Sequence, residues 1–188
     1  MTTILLVRHG ETDWNRERRW QGHADPPLNA AGRRQAEQLA ELLVADPPSA
    51  VYSSDLTRAR ETAEIVADRL SLPLFLDPRL READVGEWSG LTAPQIEERY
   101  PEGVARRLAG GTGWDHGETY EQLRERVLEA LHEIAAANDG RAVLIVTHGG
   151  PMGQVWLACG LSHDDRPRVG NCELLGFEIG DGAIARID

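Results

Sequence analysis

The runs "ILLV" at 4–7 and "AVLIV" at 142–146 are apolar at every position. A strand with one face in water alternates apolar and polar side chains, so an unbroken run predicts a strand covered on both faces. "AVYSS" at 50–54 is a weaker third strand. Between these runs the apolar residues recur three and four apart. Ala36, Leu39, Ala40 and Leu43 predict a helix over 30–44. Similar patterning predicts one over 57–70, and Leu123, Val127, Leu131 and Ile134 predict another over 120–137. The last opens at Thr119, a capping residue, and stops before Asn138-Asp139-Gly140. The tail reads "CELLGFEI", "GDG", "AIARI", which predicts a closing hairpin. "DPP" at 46–48 and "GGTG" at 110–113 read as loops. Strand and helix in alternation predict a three-layer α/β/α fold around a central, mostly parallel sheet.

Length and charge narrow the setting. The chain has 188 residues, 41% of them hydrophobic, enough for one sizeable core but not two, so a single domain over 1–188 is expected. Its net charge is -11, from 31 acidic and 20 basic residues, and every basic residue is Arg. Such a surface repels nucleic acid and anionic membranes, and neither is an expected partner. Charges beyond about 8 Å are screened at physiological salt, so a local cluster of Arg can still dominate a pocket. Cys159 and Cys172 have no metal-site or disulfide spacing and read as small buried apolar residues. The N-terminus is too short for a signal-peptide core and no apolar run approaches a membrane span, so the expected location is cytoplasmic.

The chemistry gathers where the strands end. Open α/β sheets bind ligands in the crevice at the carboxyl ends of their strands. The first strand ends in Arg8-His9-Gly10, and the "AVLIV" strand in Thr147-His148-Gly149-Gly150. The "AVYSS" strand runs through Asp55 and Leu56 to Arg58 in the first turn of a helix. Taken singly, these are ordinary surface or turn residues. Together they bring two imidazoles and two guanidiniums to one edge. Guanidiniums bind phosphate oxygens bidentately, and the "GGPMG" turn, with Pro151 suited to a first helical position, offers backbone N–H groups. The ligand this predicts is a phosphoryl group.

These segments resemble the histidine phosphatase superfamily, in the branch that includes the cofactor-dependent phosphoglycerate mutases and many small phosphatases. "LLVRHGETDWN", "QGHADPPLNAAGRRQAEQLA", "SSDLTRARETA", "RLREADVGEWSGL" and "VLIVTHGG" match its motifs in order, over nearly the whole chain. The resemblance implies a phosphoglycerate mutase-like fold. It also implies that His9 attacks phosphorus and becomes phosphohistidine, that Arg8, Arg58 and His148 hold the phosphoryl oxygens, and that Glu82 protonates the leaving oxygen. Asn15 matches a residue contacting the transferred group. Gln21 and Gly22 match a substrate-side loop, and Gly149 is a further substrate-binding candidate. No cofactor and no metal are implied. Physical chemistry agrees, since Arg8 and Arg58 disfavour protonation of His9 and so keep a nitrogen lone pair available.

Spacing alone does not choose the acid, because Glu11, Asp84 and Glu87 also lie near motifs; the resemblance chooses Glu82. Glu87 reads as a surface strand or turn residue and Glu11 as a buried partner for an Arg. His23, His116, His132 and His163 lack metal-ligand spacing and read as exposed polar positions, which leaves a metal-dependent hydrolase as a weak alternative. Trp14, Trp20, Trp88 and Trp114 fall in loops beside the expected site, either as an apolar wall for an organic leaving group or as loop pins. Trp156 reads as core. The expected activity is hydrolysis of a small organic phosphate, such as a sugar phosphate or a phosphoglycerate-like ester. A phosphoglycerate mutase is the alternative, with a noncatalytic phosphate-binding relative behind it. Mutases of this family place a Lys where this chain has Ala93, which argues for the phosphatase; Arg106-Arg107 sits where they carry an Arg pair, which keeps the mutase open. Assembly as a homodimer also stays open.

Overall fold

Strand β1 (Thr2–Arg8) and strand β4 (Ala142–Thr147) run parallel, paired from Thr3 with Ala142 to Arg8 with Thr147. Side chains alternate across a strand, so Ile4, Leu6, Val143 and Ile145 face one side and Val7, Leu144 and Val146 the other. All seven are at most 1% exposed, which is why both runs are continuously apolar. The coordinates are a computed structural model and describe residues 1–114, 116–162, 164–180 and 182–187. His163 and Asp181 of the expected GDG turn lie outside them.

In chain order, β1 is followed by the single turn α1 (Asp13–Arg16), α2 (Ala30–Leu43), β2 (Val51–Ser53), α3 (Thr57–Leu70) and β3 (Leu74–Leu76). Short 3-10 turns at Pro78–Leu80 and Gly86–Trp88 precede α4 (Ala93–Arg99), α5 (Pro101–Leu108) and α6 (Tyr120–Ala137). Then come β4, α7 (Gly149–Ala158), β5 (Leu174–Gly180) and β6 (Ala183–Ile187). The six strands lie in the order β3-β2-β4-β1-β5-β6. β1, β2, β3 and β4 pair parallel, while β5 pairs antiparallel with both β1 and β6, giving the expected hairpin.

Helices α2 and α3 bury Leu39, Leu43, Ala63 and Val66 against one face. Helices α6 and α7 bury Leu123, Val127, Leu131, Met152 and Val155 against the other, together with Leu80, Val85 and Trp88. This is the three-layer architecture. Burying each large apolar side chain contributes about 1.5–3 kcal/mol. Thr119 caps α6, accepting from the Gln122 N–H while the Gln122 side chain accepts from the Thr119 N–H. Half-buried rather than buried are Cys159 and Cys172, both free; half-buried rather than exposed is His132.

Candidate active site

The β1–β4 register sets the centre of the site. Because Arg8 lies opposite Thr147, the next residues, His9 and His148, leave the sheet at the same level, and the His9 N–H donates to the Thr147 carbonyl at 3.0 Å. Their ring centroids are 5.1 Å apart. β2 adds a third residue at that level, since the Ser54 N–H donates to Val146 O and its Oγ lies 2.9 Å from His148 Nε2. Gly10 and Gly32 meet backbone to backbone: a Cβ on Gly10 would stand 2.6 Å from Gly32 O. That contact, with the Gly10 N–H donating to Thr62 Oγ1 at 2.9 Å, locks the turn after His9 onto α2 and α3.

His9 is 3% exposed, and its Nδ1–H donates to the Gly10 carbonyl at 2.7 Å. The proton is thereby fixed on Nδ1, and Nε2 keeps a lone pair. Burial, then the guanidiniums of Arg58 and Arg8, hold the His9 pKa well below 6.5, against a smaller opposing effect of the Gly10 hydrogen bond. His148 is lowered as well, by burial first and then by Arg58. Arg58 is fully buried; burial lowers it to about 10, and its two Nη groups donate to Ala24 O and Gly22 O at 2.8 and 2.9 Å. Arg8 donates from Nη1 to Val169 O at 2.9 Å. Among the described residues, three buried nitrogens near His9 have no hydrogen-bond partner: Arg8 Nε, Arg58 Nε and His148 Nδ1. Buried polar groups are nearly always satisfied, so unsatisfied donors mark a place built for an acceptor.

Glu82 borders the same cleft as Arg8, His9 and Arg58. Its Oε1 accepts from the N–H groups of Ala83 and Gly150, both at 2.9 Å. The acceptor at the start of α7 is therefore the protein's own carboxyl group. Arg126 of α6 holds the Glu82 segment, donating to Arg79 O, Arg81 O and Glu82 O at 2.7–2.9 Å and to both carboxylate oxygens of Glu118.

A cleft of about 1070 Å³ opens over these groups, bordered by Arg8, His9, Asn15, Gln21, Gly22, Arg58 and Glu82. Asn15 Oδ1 accepts from the Thr12 N–H and hydroxyl, which leaves its amide Nδ2 for a ligand. His148 stands beside His9 beneath the lining. Gly149 does not line the cleft: it begins α7, its carbonyl accepts from Arg166, and Gly150 borders the cleft instead. Pro151 is the third helical residue rather than the first.

Arg107, Arg124 and Arg166 also line the cleft and were not singled out by the sequence, apart from the open question over Arg106-Arg107. Arg107 reaches the cleft, its guanidinium 5.0–6.0 Å from the rings of Trp20, Trp88 and Trp114, with Nε donating to Tyr120 Oη at 2.8 Å. Arg106 is not among the lining residues. Of the loop tryptophans, Trp20 and Trp114 border the cleft, Trp88 is core, and Trp14 packs on Gly90. Trp156 is core as expected. Glu11 accepts from the Asn29 amide rather than from an Arg, because the turn it sits on docks against the start of α2. Glu87 is exposed in a 3-10 turn. Among the described residues, no group of three or more His, Cys, Asp or Glu could hold a metal ion, and no helix is long and apolar enough to cross a membrane.

Comparison with known proteins follows the same lines. The model of the histidine phosphatase superfamily (branch 1) matches residues 4–186. The chain is 38% identical over 184 residues to phosphoglycerate mutase-like protein 4 of Arabidopsis thaliana, covering 95% of this chain and 80% of that one. It is 39% identical over 162 residues to a metal-independent phosphoserine phosphatase of the same plant, covering 84% and 68%. Among solved structures, a mycobacterial glucosyl-3-phosphoglycerate phosphatase in complex with VO3 superposes with a TM-score of 0.85 at 31% identity, covering 97% of this chain and 95% of that one.

Proposed function

We propose, from the premise that this chain belongs to the histidine phosphatase superfamily (branch 1), that it is a metal-independent phosphomonoesterase working through a phosphohistidine on His9. The observation that carries the reading is the set of three buried nitrogens, Arg8 Nε, Arg58 Nε and His148 Nδ1, that have no hydrogen-bond partner among the described residues, around an imidazole whose Nε2 lone pair is free. A phosphoryl group on Nε2 supplies the acceptors that those donors lack. Fixed donors aimed at developing charge are the chief means of stabilising such a transition state.

In the first step Nε2 of His9 bonds to phosphorus as the ester P–O bond breaks, and Glu82 gives its proton to the departing oxygen. In the second, the Glu82 carboxylate takes a proton from water as the water oxygen bonds to phosphorus. The N–P bond then breaks, inorganic phosphate leaves and His9 is restored. Asn15 adds a donor to the transferred group, and Gln21 and Gly22 shape the substrate side.

The substrate we assign is a small organic phosphate of the sugar-phosphate or phosphoglycerate type. Trp20 and Trp114 offer an apolar wall, and the guanidiniums of Arg107, Arg124 and Arg166 favour an anionic group on the organic part. Relatives named phosphoserine phosphatase and glucosyl-3-phosphoglycerate phosphatase are in keeping with this. We extend the reading to a single domain over 1–188 and to a cytoplasmic location.

Arg107 at the cleft favours the mutase alternative, whereas Ala93, where the mutases place a Lys, opposes it. ³¹P NMR of 3-phosphoglycerate with a trace of 2,3-bisphosphoglycerate separates the two. Hydrolysis predicts that any 3-phosphoglycerate consumed becomes glycerate and inorganic phosphate. Interconversion with 2-phosphoglycerate outpacing phosphate release would overturn the ranking.

A further inference from the structure

The hydroxyl of Ser54 lies fully buried at the end of β2, where its Oγ accepts the Leu56 N–H at 3.3 Å and sits 2.9 Å from His148 Nε2. A hydroxyl has one hydrogen to donate, and when buried it must find an acceptor for it. Among the described residues, that oxygen makes hydrogen bonds only with the Leu56 N–H, which is a donor, and with His148 Nε2, which leaves Nε2 as its acceptor. We propose that Ser54 donates its O–H to His148 Nε2, fixing a neutral His148 as the Nδ1–H tautomer, and so acts as the positioning residue that makes His148 a hydrogen-bond donor to the phosphoryl group.

The reverse arrangement fails on two counts. Were Nε2 the protonated atom, the Ser54 hydrogen would have nowhere to go, and Nδ1 would present a lone pair toward an anionic ligand. Burial and the neighbouring Arg58 hold His148 neutral at physiological pH, so the imidazole carries one hydrogen and its placement matters. Among the described residues Nδ1 is buried without a partner, and Nε2 is occupied, which leaves Nδ1 as the ring nitrogen free for a ligand. The arrangement parallels His9, whose tautomer the Gly10 carbonyl sets; the two rings thus receive opposite tasks, His9 exposing a lone pair and His148 a hydrogen.

The inference rests on the phosphatase reading for the role of His148, but the tautomer can be measured without turnover. Long-range ¹H–¹⁵N correlation spectra of the full chain labelled with [¹⁵N]histidine, with His148 assigned by its loss in His148→Gln, are expected to show a pyrrole-type Nδ1 and a pyridine-type Nε2. A pyridine-type Nδ1 would overturn the proposal, whether or not the enzyme hydrolyses phosphomonoesters. In folded Ser54→Ala the fixed tautomer is expected to disappear from these spectra, and inhibition by orthophosphate to weaken about 10- to 100-fold, the usual range for one hydrogen bond to a charged group. Unchanged orthophosphate inhibition in a folded variant would equally sink it. If Ser54→Ala does not fold, the wild-type spectrum decides alone.

Discussion

His9 sits buried against two guanidiniums, and its pH dependence follows from that. The folded pKa lies below 6.5, from burial first, then Arg58, then Arg8. Between that value and 6.5 the unfolded chain binds a proton that the native protein does not, so stability falls as pH drops below 6.5, and His148 adds a contribution of the same sign. For activity, the acid limb of kcat/KM due to His9 should lie well below 6.5 once substrate ionisation near about pH 6 is divided out. A limb at 6.5 or higher would contradict an unprotonated nucleophile protected by its setting. Glu82 supports a separate prediction. Glu82→Gln should slow hydrolysis of alkyl phosphates by about 10²- to 10⁴-fold, and of esters of acidic phenols by less, since good leaving groups need little protonation. Equal losses on both would show that Glu82 is not the acid.

At the scale of elements, Arg126 fastens α6 to the segment that carries Glu82, through three carbonyls and the Glu118 carboxylate. Arg126→Met leaves Glu118 without its partner in a site where the two are only 12% and 20% exposed, and should lower stability by about 2–4 kcal/mol. It should also weaken hydrolysis of alkyl phosphates more than aryl phosphates, because the acid is less well held. Leu144→Ala, on the covered face of β4, should cost a similar 2–5 kcal/mol without that change in leaving-group preference. Chemical denaturation and a pair of substrates measure both. These elements also mark what the sequence disclosed. Continuous apolar runs identified β1 and β4, and helical periodicity identified α2, α3 and α6, because those patterns are imposed by covered faces. The segment 78–90 is legible only by resemblance: its short turns bury Leu80 and Trp88 with no periodic pattern, so residue spacing does not set Glu82 above its acidic neighbours. Arg124 and Arg166 escaped notice because an Arg on an amphipathic helix or in a loop looks the same whether it faces solvent or a cleft. Gly149 was singled out in place of Gly150 because a helix start shows in sequence to within a residue or two, but its N–H directions do not.

For the molecule as a whole, charge is the informative quantity. A chain of net charge -11 sends seven of its 20 arginines to the lining of one cleft. Hydrolysis should persist after exhaustive chelation, the guanidiniums and His148 supplying the charge stabilisation that a divalent ion supplies elsewhere. Loss of activity with EDTA and its return with a divalent ion would bring the metal-hydrolase alternative to the front. All of this depends on a covalent step at His9, and a rapid-quench pulse with ³²P-labelled substrate tests that step most directly. The wild type should acquire a base-stable, acid-labile label in the tryptic peptide 9–16, chased off within one turnover, and His9→Ala should acquire none. Label that persists in His9→Ala, or that maps to another peptide, would contradict His9 as the phosphoryl acceptor.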